Sequence, residues 1–211
     1  MPSVQEILTF DDSPPPPGAS PWVEGAGPAE HVEVEPPDHA WELWFDTLSG
    51  RIRRALGWRA LAIEHVGSTA VPGLPAKPII DIDLIVANPD DEAGYVPALE
   101  DAGFELRVRE PWWYRHRVLR HPAPACHLHV FGYDSPEPAR HRLFRDWLRA
   151  NSSDRELYSR AKREAAERTL VDGGDMRAYN AHKQAVVREI YQRAFAAAGL
   201  LETPTAPGDS R

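Results

Sequence analysis

Residues 79–86, Ile-Ile-Asp-Ile-Asp-Leu-Ile-Val, constrain this chain more than any other stretch. The run is rich in β-branched and apolar residues, so it predicts a buried strand. Side chains alternate across a strand, which places Asp81 and Asp83 on one face and Ile80, Ile82, Leu84 and Val86 on the other. Two adjacent carboxylates repel, and their burial is costly unless a cation or hydrogen bonds offset it. The strand therefore predicts a polar site on one face of an otherwise apolar sheet, with a divalent metal as the simplest counter-charge.

The rest of the pattern gives the sheet its surroundings. Residues 39–58 carry Trp41, Leu43, Trp44, Leu48, Ile52 and Leu56 at helical spacing. Ala-Leu-Ala-Ile-Glu-His-Val (60–66) reads as a short strand, followed by a Pro-rich loop. The segment 89–104 predicts a helix begun by acidic residues and ended at Gly103. Three alternating stretches, 104–110, 113–120 and 126–133, predict antiparallel strands, and helices follow near 137–150, 154–171 and 174–198. The expectation is an α+β fold: a mixed sheet of about four or five strands, with an N-terminal helix and additional C-terminal helices.

Charge divides the chain unevenly. The first 38 residues hold eight acidic residues, no Lys or Arg, and nine of the 21 prolines, while the chain as a whole carries a net charge of -8. Residues 1–36 are therefore expected to be a disordered acidic arm, 37–200 the folded domain, and 201–211 a second tail. Deleting residues 1–34 should then leave thermal stability nearly unchanged. Net acidity argues against general nucleic-acid binding. No 18-residue apolar run or secretory leader is present, and the lone Cys126 fits a cytoplasmic protein with a core thiol.

Gly67-Ser68 closes the strand that precedes the acidic one. A glycine at such a turn lets backbone N–H groups approach an anion, and the serine hydroxyl adds a donor. Asp81 and Asp83, about 7 Å apart along an extended strand, face that turn with room for one or two metal ions. A phosphate cradle opposite a metal site is how phosphoryl and nucleotidyl transfer is organised. Basic residues are also telling: the chain has 21 arginines and only three lysines, Lys77, Lys162 and Lys183. Tyr158 and Lys162, like Tyr179 and Lys183, are four apart and share a helix face. Lys183 is expected to point partly inward, toward a triphosphate.

The block Ile63–Val86 closely resembles the signature of the GrpB-like family, of the nucleotidyltransferase superfamily with the DNA polymerase beta fold. The resemblance continues through His-Leu-His-Val-Phe (127–131), Leu-Phe-Arg-Asp-Trp-Leu-Arg-Ala (143–150), Leu-Tyr-Ser-Arg-Ala-Lys (157–162) and Tyr-Asn-Ala-His-Lys (179–183). It implies that Gly67 and Ser68 hold phosphates and that Asp81 and Asp83 bind metal. The wider superfamily adds a third carboxylate from a neighbouring strand. The corresponding strand here carries His127 and His129 instead; the expected metal is Mg²⁺, with Mn²⁺ or Zn²⁺ as the alternatives that imidazole suits better. His129 is a candidate ligand or general base, with Lys77, Lys162 and Lys183 as phosphate contacts.

These residues admit three functions: nucleotidyl transfer from an NTP to an unknown acceptor, a non-catalytic nucleotide or metal-binding module, and a Zn²⁺- or Mn²⁺-dependent hydrolase. Family members joined to dephospho-coenzyme A kinase hint at coenzyme or nucleotide metabolism. For His65 the expected role is orienting the loop. Arg145 is expected to bridge Asp146, and Trp112–Trp113 to pack.

Overall fold

The computed structural model describes residues 1–27, 34–174 and 176–201. At its centre is a mixed five-stranded sheet in the order β1-β2-β5-β4-β3. The strands are β1 (Ala62–Val66), β2 (Ile80–Val86), β3 (Glu105–Glu110), β4 (His116–Pro122) and β5 (Ala125–Gly132). All neighbours are antiparallel except β2 and β5. A parallel pair needs a long crossover, which the helix α3 (Val96–Asp101) and the β3–β4 hairpin supply.

One face of the sheet is the apolar core. Helix α2 (Ala40–Leu56) buries Leu48, Ile52 and Leu56 against Ile80, Ile82, Leu84 and Val86 of β2 and Leu128 and Val130 of β5. The α3 helix is shorter than the sequence suggests, because Pro97 is tolerated only in a first turn. Cys126 lies on this core face, buried, with burial pushing its thiol up. The other face carries Asp81, Asp83, His127 and His129. Helices α4 (Glu137–Ala150), α5 (Ser152–Val171) and α6 (Met176–Ala197) pack beyond it around Val71, Leu74, Leu148, Tyr158 and Ile190. No helix among the described residues is long and apolar enough to cross a membrane.

The N-terminal segment departs from the expectation of disorder. It opens with the short helix α1 (Val4–Leu8), capped by Ser3 and Glu6. The fully buried Arg140 of α4 donates to the carbonyls of Glu6, Ile7 and Thr9 and pairs with Glu137. Phe10 packs edge-on against Tyr191 at 5.1 Å, and Trp22 bridges Val108, covering the β3 edge. Low average hydrophobicity concealed a few well-spaced anchors. The expected tail is described only at Leu201; the rest of it lies outside the described residues.

Candidate functional site

The β2–β5 register sets His127 beside Asp81 and His129 beside Asp83, all four side chains on the helix-covered face. Ligand atoms of Asp81, His127 and His129 lie within 4.8 Å of one another. His127 Nδ1 is 3.4 Å and His129 Nε2 3.8 Å from Asp81 Oδ1. Burial alone would raise the Asp81 carboxyl, but the two imidazoles hold it well below the ordinary carboxylate range.

The orientation of His129 is fixed from behind. His116 Nδ1 lies 2.7 Å from Glu110 Oε2, and His116 Nε2 lies 3.0 Å from His129 Nδ1. Burial, opposed by Glu110, lowers His116 to about 4, so its ring is neutral at pH 7. A carboxylate only accepts, so the His116 proton sits on Nδ1 and its Nε2 accepts from His129 Nδ1–H. His129 Nε2 is left facing Asp81 Oδ1, where either a proton on that nitrogen or a bound cation satisfies the carboxylate, so the cluster can accept a cation in place of a proton. Two imidazoles and one carboxylate form the donor set of a transition metal more than of Mg²⁺. The supporting Glu110–His116 pair is the kind of outer partner that orients a ligating histidine.

Asp83 is placed differently. It is fully buried, and His141 Nδ1 donates to both its oxygens at 2.9 and 3.1 Å. Burial alone would lower His141, but the Asp83 charge and hydrogen bond push it up to about 9. Any ion held by both aspartates would have to displace His141. A further carboxylate on this face, Glu64 of β1, is engaged by Arg145 at 3.1 Å.

All three lysines of the chain line one cleft of about 300 Å³, together with Gly67, Ser68, Asp81, His127 and His129. Lys183 Nζ sits 4.6 Å from the Tyr179 ring centre and Lys77 Nζ 5.3 Å from it, while Lys162 Nζ is 5.4 Å from that of Tyr158. Lys162 is 2% exposed and donates to the Pro75 carbonyl. Burial and then the neighbouring Lys183 lower it to about 7, and burial lowers Lys77 to about 8. Ammonium groups crowded into a partly dry cleft form a site for a polyanion.

Gly67 has φ +69° and ψ -167°, a conformation essentially confined to glycine. A Cβ there would overlap Asp81 Oδ2 and lie 3.0 Å from Asp81 Cβ, so the glycine also lets the carboxylate approach the turn. Ser68 opens a 3₁₀ turn at the cleft rim. His65 points to the opposite face, stacked on Phe45 at 4.6 Å and 3.0 Å from Thr69 Oγ1, where it braces the loop. Arg145 bridges Asp146 as well as Glu64. Trp113 packs against His116, and its indole donates to the Asp11 carbonyl.

Sequence reasoning missed Glu110, His116, Asn180 and His141. The period-two face of β4 held a usable signal for His116, which shares parity with Val118 and Arg120, opposite His129 and His127. Nothing local marks His141, because its role depends on where α4 packs.

A family model described as GrpB protein matches residues 31–193. The chain belongs to the GrpB family. It is 49% identical over 159 residues to a UPF0157 protein of Halalkalibacterium halodurans, covering 75% of this chain and 80% of that relative. A UPF0157 protein of Streptomyces coelicolor is 42% identical over 178 residues, covering 83% of this chain and 91% of that one. Among solved structures, conserved protein GrpB from Enterococcus faecalis superposes with a TM-score of 0.67 at 28% identity, covering 79% of this chain and 99% of that one. In this GrpB-family chain the match begins after the N-terminal segment that packs on α4 and α6.

Proposed function

We propose that this GrpB-family protein binds a nucleoside triphosphate with a divalent transition metal and transfers the nucleotidyl group to an acceptor of coenzyme or nucleotide type. The observation that carries this reading is the convergence of every lysine in the chain on the cleft that ends at Asp81, His127 and His129. Lys77, Lys162 and Lys183 would neutralise the phosphates, and the Gly67-Ser68 turn would supply donors at the rim. Asp81, His127 and His129 would hold the metal, which when bound supplies Lewis-acid activation of a phosphate oxygen. Glu110 and His116 hold the His129 lone pair toward that position. The Asp83–His141 ion pair borders the cleft without adding net charge. A UPF0157 sheet of this kind, with Gly-Ser and an Asp-x-Asp strand, supports membership of the nucleotidyltransferase superfamily. A relative named Dephospho-CoA kinase from Mycolicibacterium paratuberculosis is 32% identical over 193 residues, which span 46% of its length. That name supports the acceptor class.

A binding module without turnover is the second reading, favoured by the engagement of Asp83 with His141, which leaves Asp81 as the only carboxylate of the metal cluster among the described residues. Incubation of α-labelled NTPs with protein, Mn²⁺ and small-molecule extract separates the two. Transfer of label with release of pyrophosphate, abolished by Asp81→Asn, is the expected result. Tight NTP binding with no pyrophosphate would leave the binding module.

A further inference from the structure

A second cavity, of about 660 Å³, opens from the lysine cleft and shares Gly67, Ser68, Tyr158, Asn180 and Lys183 with it. Its character is different. Phe10, Trp113, Phe144 and Tyr191 present aromatic surface, and Asn180 and Gln184, four apart on α6, line one side. Among the described residues neither amide has a side-chain hydrogen-bond partner. Two ion pairs engage charged residues of its lining, Arg188 with Asp12 and Glu137 with Arg140, while His141, Arg177 and Lys183 also line it.

One wall of this cavity is the N-terminal segment, which precedes the family match at residue 31. Its placement is specific. Phe10 lies under the Arg188 guanidinium, 3.4 Å from ring centre to Cζ, and against Tyr191 and Phe195. The Asp11 carbonyl accepts from Trp113 Nε1 at 3.3 Å, tying the segment to the turn before β4. Asp11 borders this wall, and Asp12 is held there by Arg188.

We propose that this cavity receives the nucleobase of the nucleotide whose phosphates the lysines hold, and that the N-terminal segment shapes it for this chain through Phe10. The proposal rests on the phosphate reading above. Charge sorts the two ends of such a ligand: phosphates are drawn to Lys77 and Lys162, which line the cleft and not this cavity, with Lys183 at the junction. A planar ring gains contact with aromatic walls, and two amides can read its edge. Stacking tolerates any base, whereas amide hydrogen bonds discriminate among them.

Calorimetric titration of tripolyphosphate and of ATP, each with Mn²⁺, into the full chain, Phe10→Ala and Gln184→Ala tests this. The wild type should bind ATP at least ~10-fold more tightly than tripolyphosphate, and Phe10→Ala should remove most of that ratio while leaving tripolyphosphate affinity unchanged. Gln184→Ala, exposed on α6 and outside the packed core, should reduce the ratio ~3-fold or more without any question of misfolding. Equal affinity of the wild type for ATP and tripolyphosphate, or a ratio untouched by both variants, overturns this inference and leaves the phosphate reading standing. Failure of tripolyphosphate to bind the wild type overturns the phosphate reading, and this inference falls with it.

Discussion

Titrating Mn²⁺-ATP into the protein at pH 8 is expected to draw protons out of the buffer. With Lys77 lowered to about 8 and Lys162 to about 7, the empty cleft holds one lysine half protonated and another about one-tenth protonated. A bound triphosphate favours the charged form of both, so saturation should take up as many as about 1.4 protons per site. The γ-phosphate is itself ionised at this pH, so the uptake belongs to the protein. Measuring the binding enthalpy in buffers of different ionisation enthalpy gives the number directly, as the slope. Lys162→Met should cut it to about half a proton, the share left to Lys77. Uptake near zero, or proton release, in the wild type at saturation would refute the claim that phosphates occupy the lysine cleft.

The same burial makes Lys162 costly to the unliganded protein. Its folded value lies below its unfolded one, so the unfolded state binds more protons above about pH 7, and its cost shrinks as pH rises. Lys162→Met should therefore stabilise the protein at pH 6 by ~1–3 kcal/mol in chemical denaturation, with the gap closing toward pH 10, while weakening ATP binding ~10-fold or more. Gly67→Ala should destabilise by ~1–3 kcal/mol and loosen metal binding, because the new Cβ meets Asp81; a variant as stable as wild type would show that the turn can relax. Arg140→Met should cost ~2–4 kcal/mol, since three carbonyls of the N-terminal segment lose their donor and Glu137 its partner; an unchanged melting temperature would mean that the segment contributes nothing. By NMR, His141 should titrate near 9, and Asp83→Asn should lower it, because burial remains and the largest opposing charge is gone, although Glu137 and Asp81 still raise it; an unchanged value would contradict the pairing.

The strands and helices were legible because each carries a clean period. β2 alternates Ile with Asp over residues 80–83 within a seven-residue apolar strand, and α4 falls on the 137–150 stretch where the pattern turns helical. Alternation alone put Asp81 with Asp83 and His127 with His129; that the two pairs meet on one face depends on the β2–β5 register. Their division of labour did not, because the engagement of Asp83 with His141 depends on tertiary packing across 58 residues of chain. The three lysines stood out by rarity, yet their convergence requires the Pro-rich loop, α5 and α6 to meet at one cleft. Composition misjudged the N-terminal segment. Ile7, Phe10 and Trp22 are few among many prolines and acids, but each meets a prepared site on the domain.

The most direct test of the account is calorimetric titration of ATP, with and without Mn²⁺, into wild type and Asp81→Asn. Mn²⁺ should tighten ATP binding to the wild type, and Asp81→Asn should lose this enhancement while keeping the weaker, lysine-dependent binding. An enhancement of equal size in both proteins would place the metal elsewhere and contradict the assignment of Asp81, His127 and His129.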